Sequence, residues 1–170
     1  VEVGAGTGSF SELLLEQRLE SLSLVEPSTA MHQQLCRRME ELRHSVETYN
    51  DVFENVAEQI RSTAQPDSII YVNVLEHIAD DVNELQVINK TLDAGGRVFI
   101  FVPALSWLHG SMDRQLGHFR RYTRTEIEKK CVAAGFRVIV SRYFDVMGVL
   151  PWWVKYKLLQ SDRMEPGAVM

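Results

Sequence analysis

Cysteine is nearly missing from this chain: Cys36 and Cys131 stand far apart, with no CxxC pair. That scarcity excludes a disulfide framework and a zinc knuckle, no set of metal ligands is read from the spacing, and a reducing, cytoplasmic setting is expected. Long apolar runs are missing as well. RVFIFVPAL and VMGVLPWWV fall well short of the ~20 residues of a spanning helix, so no transmembrane segment is expected. No charged region followed by an apolar one precedes the first strand. Positive charge is not in excess: 18 Lys and Arg stand against 23 Asp and Glu, for a net charge of -5. Proteins that wrap nucleic acid bind by neutralising phosphates, so no nucleic-acid partner is expected, and a small substrate fits better. Repeats, linkers and low-complexity segments are absent. With 45% hydrophobic and 24% charged residues, the 170-residue chain has the composition of a single domain, residues 1–170.

What is present begins with VEVGAGTG at residues 1–8. Glycine costs roughly 0.5–1 kcal/mol relative to alanine in ordered backbone, so three in five residues need a geometric reason, such as a ligand that must approach main chain. Apolar β-rich runs alternate with helical stretches throughout, which predicts an α/β fold with a parallel sheet. The first strand ends near Val3, and Ser9 with Glu12 reads as a capping box opening a helix covered by Leu13, Leu14 and Leu15. SLSLVE is a second strand ending at Glu26, and Pro27 and Ser28 start a helix with Met31, Leu35 and Met39 at helical spacing. A short third strand spans about Val46 to Tyr49. The stretch after Asp51 reads as a loop with an uncertain helix, and SIIYVNV as a buried fourth strand.

Asp80 or Asp81 caps the next helix, which stops at Gly95 and Gly96, and RVFIFVPA is a fifth strand. Thr123 and Glu126 form a second capping box, and FRVIVSRYF after Gly135 reads as a sixth strand. A strand beginning at residue 1 and the trailing SDRMEPGAVM give the expectation of a domain incomplete at both ends.

A strand, a glycine turn and a helix in that order put backbone N–H groups and a helix N-terminus at the carboxyl edge of a parallel sheet, where ligands of open α/β folds bind. The spacing is G-x-G-x-G, ending at Gly8, and not the G-x-G-x-x-G of dinucleotide binders. Glu26, roughly 20 residues on, can accept hydrogen bonds from both hydroxyls of a ribose. A turn that binds nothing, with Glu26 solvated, is the plainer alternative.

The sequence E-x-G-x-G-x-G at Glu2, Gly4, Gly6 and Gly8, then LVEPS, YVNVLEHI and LDAGGRVFIFVPA, resembles the class I S-adenosylmethionine-dependent methyltransferases, most of all the type-11, ubiquinone/menaquinone-biosynthesis-like branch. The likeness runs from residue 1 to about residue 144. It implies a Rossmann-like, doubly wound, mostly parallel sheet of seven strands, the last of which is not evident, and S-adenosyl-L-methionine as cofactor. By the same resemblance, Gly4, Gly6 and Gly8 would admit the methionine and ribose portion, Glu2 would anchor its amino group, and Glu26 would hold the ribose. Met31 would cover the adenine face, Asp51 and the Val52 backbone would read the adenine edge, and Asn73 would lie beside the methionine portion. Core packing is the competing reading of Met31.

Methyl transfer from a sulfonium disperses charge, so the enzyme must chiefly align the reactants and exclude water, with a general base helping oxygen or nitrogen nucleophiles. His77, directly after the fourth strand, is the candidate base, or a helix-start residue that only packs. The segment SWLHGSMDRQLGHFRRYT gathers His109, His118, Arg120, Arg121 and Tyr122 as candidate substrate contacts. The two arginines could grip an anionic group or pair with local acids such as Asp113 or Glu126. Trp152 and Trp153, followed by Lys155 and Lys157, could form a lid for an aromatic or lipid-like acceptor, a membrane-surface foot, or a packed helix start. The expected function is methyl transfer to a small molecule. A nicotinamide-dependent oxidoreductase and a non-catalytic module binding the cofactor are the alternatives.

Overall fold

The computed structural model describes residues 1–44 and 46–144. Five parallel strands, β1 (Glu2–Val3), β2 (Ser23–Val25), β3 (Glu47–Tyr49), β4 (Ser68–Val72) and β5 (Arg97–Phe101), form one sheet in the order β3-β2-β1-β4-β5. Helices α1 (Ser9–Leu15), α2 (Thr29–Glu41), α3 (Phe53–Ala64), α4 (Asp81–Thr91), α5 (Ser111–Gln115) and α6 (Arg124–Ala133) complete the expected α/β alternation. The chain runs outward from β1 to β3 and returns to the other side of β1 at β4. That reversal opens a crevice at the carboxyl ends of β1 and β4.

Two apolar clusters hold the layers together. In one, Phe53, Val56, Ala57 and Ile60 of α3, at helical spacing, meet Ile69 and Tyr71 of β4 and Leu85 and Ile88 of α4. In the other, Leu35 and Met39 of α2 meet Leu22, Leu24 and Ala5, with Leu14 and Leu15 of α1 alongside. The apolar spacing within α3 makes the stretch after Asp51 a regular 12-residue helix where the sequence left it uncertain.

Two local expectations are corrected. Gly8, in left-handed backbone with φ 86, is the cap of α1 and no side chain caps that helix, so Ser9 falls inside the first turn. Ser9 Oγ instead accepts from Arg38 at 2.8 Å, and Glu12 pairs with Arg38 at 3.1 Å. Residues 136–144 form no strand. The outer edge of β5 is unpaired among the described residues, this stretch does not hydrogen-bond to it as a strand, and Ile139 and Val140 remain 68% and 73% exposed. Trp152, Trp153, Lys155 and Lys157 lie outside the described residues. Among those described, no helix is long and apolar enough to cross a membrane.

Candidate functional site

The glycine turn leaves β1 by folding back on β2: the N–H groups of Gly4 and Ala5 both donate to the Val25 carbonyl, at 2.8 and 3.1 Å. Gly4, Gly6 and Gly8 all have positive φ, which only glycine adopts freely. Their surroundings separate their roles. A Cβ at Gly4 would meet Val74 Cγ2 at 2.3 Å and one at Gly8 would meet Leu35 Cδ1 at 2.8 Å, whereas one at Gly6 would meet nothing within 4 Å. Gly4 and Gly8 let the turn pack; Gly6 faces open space.

Glu26 is 5% exposed and turned toward this hollow. One carboxylate oxygen accepts from the Gly6 N–H at 2.8 Å and the other from the Ser28 N–H at 2.8 Å. Each oxygen keeps a further lone pair. Asn50 anchors the same corner by donating to the carbonyls of Glu26 and Pro27, a role its loop position did not reveal in the sequence. Glu2 lies beneath the turn, buried, and accepts from Ser11 Oγ at 2.6 Å. Burial pushes its carboxyl up to about 7, against the pull of the Ser11 hydrogen bond. Around the rim Met31 is 47% and Val52 48% exposed, so Met31 is not core. Asp51 and Asn73 are exposed too. Asp51 is fixed by the Val52 N–H at 2.7 Å and the Asn55 amide at 2.8 Å. Asn73 takes φ 53 at the end of β4, left-handed backbone that asparagine tolerates better than most residues.

Beyond Asn73 the chain makes a single 3-10 turn, Leu75–His77, and the loop after β5 folds over it. That loop is closed at its ends, where Ala104 bridges Tyr122 and the Leu105 N–H donates to the Tyr122 carbonyl at 2.9 Å. The Phe119 N–H donates to the Glu76 carbonyl at 2.9 Å, which pins the loop to the end of β4. His118 thereby reaches His77, with ring centroids 4.6 Å apart and planes at 86°. His109 stands behind, its Nε2 3.2 Å from the His118 carbonyl. Burial and the neighbouring His118 lower the His77 pKa, partly offset by the Gly117 backbone.

Glu76 completes the group, and sequence reasoning passed over it. It is fully buried, and neither carboxylate oxygen has a hydrogen-bond partner. The only signal in the sequence is an acid set beside a histidine just after an apolar strand. Burial, before all else, pushes its carboxyl from 4.5 up to about 7. Between those values the folded protein keeps a proton that the unfolded chain has released, so this group's contribution to stability falls as pH rises through that window and is flat above it. In metal-free buffer, Glu76→Gln should therefore stabilise the protein by about 1–3 kcal/mol near pH 8 and by little near pH 4, measured by urea denaturation.

The remaining loop residues are committed to internal partners. Asp113, fully buried, accepts from Arg121 Nε at 2.7 Å, the Gly110 N–H at 2.9 Å and His118 Nδ1 at 3.1 Å. Burial pushes its carboxyl up, and these hydrogen bonds outweigh it and hold it below the usual range. Asp81, also buried, accepts from Lys130 at 2.7 Å and the Tyr122 hydroxyl at 2.8 Å, and pairs with Arg120 at 2.7 Å. Of the two readings of the arginines, pairing with acids is what the structure shows: Asp113 for Arg121, and Asp81, not Glu126, for Arg120. Arg121 and Tyr122, 8% and 2% exposed, are framework to the loop and present no free surface to an anionic group. The loop's exposed aromatic side chains are Trp107 and Phe119, at 55% and 59%, and Arg114 and Gln115 are exposed beside them.

A family model described as a methyltransferase domain matches residues 1–141. The chain belongs to this family. No curated protein matches the sequence significantly. Among solved structures, the YcgJ protein from Bacillus subtilis is 18% identical with a TM-score of 0.64, over 78% of this chain and 59% of its own. The cyclase SpnF is 18% identical with a TM-score of 0.62, over 82% of this chain and 52% of its own. An S-adenosylmethionine-dependent methyltransferase from Clostridium acetobutylicum ATCC 824 is 14% identical with a TM-score of 0.64, over 82% of this chain and 73% of its own. These likenesses establish the Rossmann-like methyltransferase fold, and the chain spans only 59% and 52% of the first two.

Proposed function

We propose that this domain binds S-adenosylmethionine at the glycine turn and transfers its methyl group to a small-molecule acceptor, in the manner of the type-11 branch. The observation that carries the reading is the Glu26 carboxylate, tied to the Gly6 and Ser28 N–H groups at 2.8 Å each beside a Gly6 that faces open space. A buried acid with lone pairs left over, next to a cradle a side chain would fill, suits a ribose diol and adjoining backbone contact. When bound, the cofactor supplies a methyl group on a positively charged sulfur.

The chain's own residues do the rest. Glu2, held near neutrality in the free protein, ionises when a ligand ammonium approaches, because an opposite charge favours the charged form. Met31, Asp51 and Val52 form the accessible adenine side, and Asn73 borders the reacting end. His77, with its lowered pKa, is an uncharged imidazole at neutral pH and can take a proton from an acceptor hydroxyl or amine. With Arg120 and Arg121 paired internally, exposed Trp107 and Phe119 favour an aromatic or lipid-like acceptor.

The fold alone does not choose the reaction, since one neighbour of the same fold is a cyclase. A methyl-labelled donor incubated with the protein and a fractionated metabolite extract should leave label in a low-mass, organic-extractable product. Label confined to the donor, with donor binding intact, would instead support a non-catalytic binding module.

A further inference from the structure

Glu76, His77 and His118 each offer one ligand atom, and these atoms lie within 4.8 Å of one another. We infer that they form a binding site for a first-row divalent transition ion, one of Zn2+, Mn2+, Fe2+ or Co2+, at the carboxyl end of β4. The sequence reading assigned no metal. It missed the site because His118 lies far along the chain from His77 and reaches it only through the closed loop after β5.

The converging, unsatisfied ligand atoms carry the inference. Asp113, an acceptor held by Arg121 and Gly110, faces His118 Nδ1 at 3.1 Å and so takes the ring's N–H there. That leaves Nε2 turned to Glu76 Oε1, 4.0 Å away, as the ring's ligand atom. Both Glu76 oxygens lack a hydrogen-bond partner in a fully buried side chain, and a ring nitrogen of His77 reaches the same point. A cation satisfies these converging atoms, and the carboxylate behind the histidine is the support that metal-bound imidazoles use to fix their tautomer. Bonds of about 2.1 Å place donors about 3–3.5 Å apart, so the three side chains need only close slightly around the ion.

Two imidazoles and one carboxylate select this class of ion over Mg2+ or Ca2+, which prefer all-oxygen shells. His77 is exposed, so the remaining coordination positions open to solvent, where an oxygen-bearing acceptor can bind. That last role rests on the methyl-transfer reading, with His77 a ligand and no longer the proton acceptor while the ion is bound; binding of the ion does not rest on it.

The test is titration of chelator-treated, full-chain protein with Co2+ as an absorbing probe. One Co2+ per chain is expected, with d–d bands and no thiolate charge-transfer band, and Zn2+ should displace it. His77→Ala, at an exposed position, and Glu76→Gln should each weaken Co2+ binding by at least about tenfold while thermal melts confirm a folded protein. Absent or unsaturable Co2+ absorption, affinity unchanged in both variants, or a thiolate band placing the ion on Cys36 and His32, whose atoms lie 3.8 Å apart, would overturn the inference. Donor binding is measured separately on the same samples, so failure of the methyl-transfer reading is told apart from failure of the ion site.

Discussion

Replacing Asp113 with alanine is expected to lower the unfolding free energy by about 3–5 kcal/mol, the range for removing one partner of a buried ion pair. Asp113 is fully buried and its partner Arg121 is 8% exposed, so the variant removes the carboxylate that neutralises a guanidinium with little access to water. It also frees the Gly110 N–H and lets the His118 ring turn, because both depend on the same carboxylate. Its direct effect spreads along the loop, since the His118 carbonyl meets His109. Asp113→Asn keeps the shape and some acceptor capacity and should lose less. Urea denaturation decides it: a loss below about 1 kcal/mol for the alanine variant would mean that Arg121 finds water or another partner, and that the loop is not held from this point.

The second large effect is expected at Glu26. If Glu26 holds the ribose as proposed, Glu26→Ala removes two charge-assisted hydrogen bonds to it, worth about 1.5–3 kcal/mol each before compensation by water. It also releases the Gly6 and Ser28 N–H groups, so the turn that approaches the ligand loses its tie to the start of α2. Dissociation constants for S-adenosylhomocysteine should rise by about 30-fold to 1,000-fold, with Glu26→Gln intermediate. The fold should survive, because the residue sits at the end of β2 and contributes no apolar contact to either core cluster. An unchanged constant for Glu26→Ala would remove Glu26 from the site.

The contrast between Glu26 and Glu76 shows what the sequence could and could not reveal. That Glu26 meets the glycine turn was legible because the turn and an acid at the end of the next strand form one local unit, repeated by the geometry of β-α-β crossovers. The helix caps at Ser28, Asp80 and Thr123 were legible for the same reason, each side chain accepting from an N–H three residues on. Ser9 misled because a capping box can be written in sequence while the backbone puts a left-handed glycine at the cap. Residues 136–144 misled because β-propensity is a matter of neighbours: the stretch does not pair with the open edge of β5, and its apolar side chains stay largely exposed. The pairing of Asp113 with an arginine eight residues on was within reach of a local reading, whereas the partners of Glu76 and Asp81, namely His118, Arg120 and Tyr122, are brought to them by a loop closure that no local pattern encodes.

The most direct test of the glycine turn as a nucleoside site is calorimetric titration of the wild-type protein and Gly6→Ala with S-adenosylhomocysteine and, separately, NADH. One molecule of S-adenosylhomocysteine per wild-type chain is expected and no heat from NADH, with binding lost in a Gly6→Ala shown by urea denaturation to be still folded, whose added methyl meets no protein atom within 4 Å and whose left-handed backbone costs the fold about 1–2 kcal/mol. Heat from NADH alone, or equal affinity of both proteins for S-adenosylhomocysteine, would contradict the account.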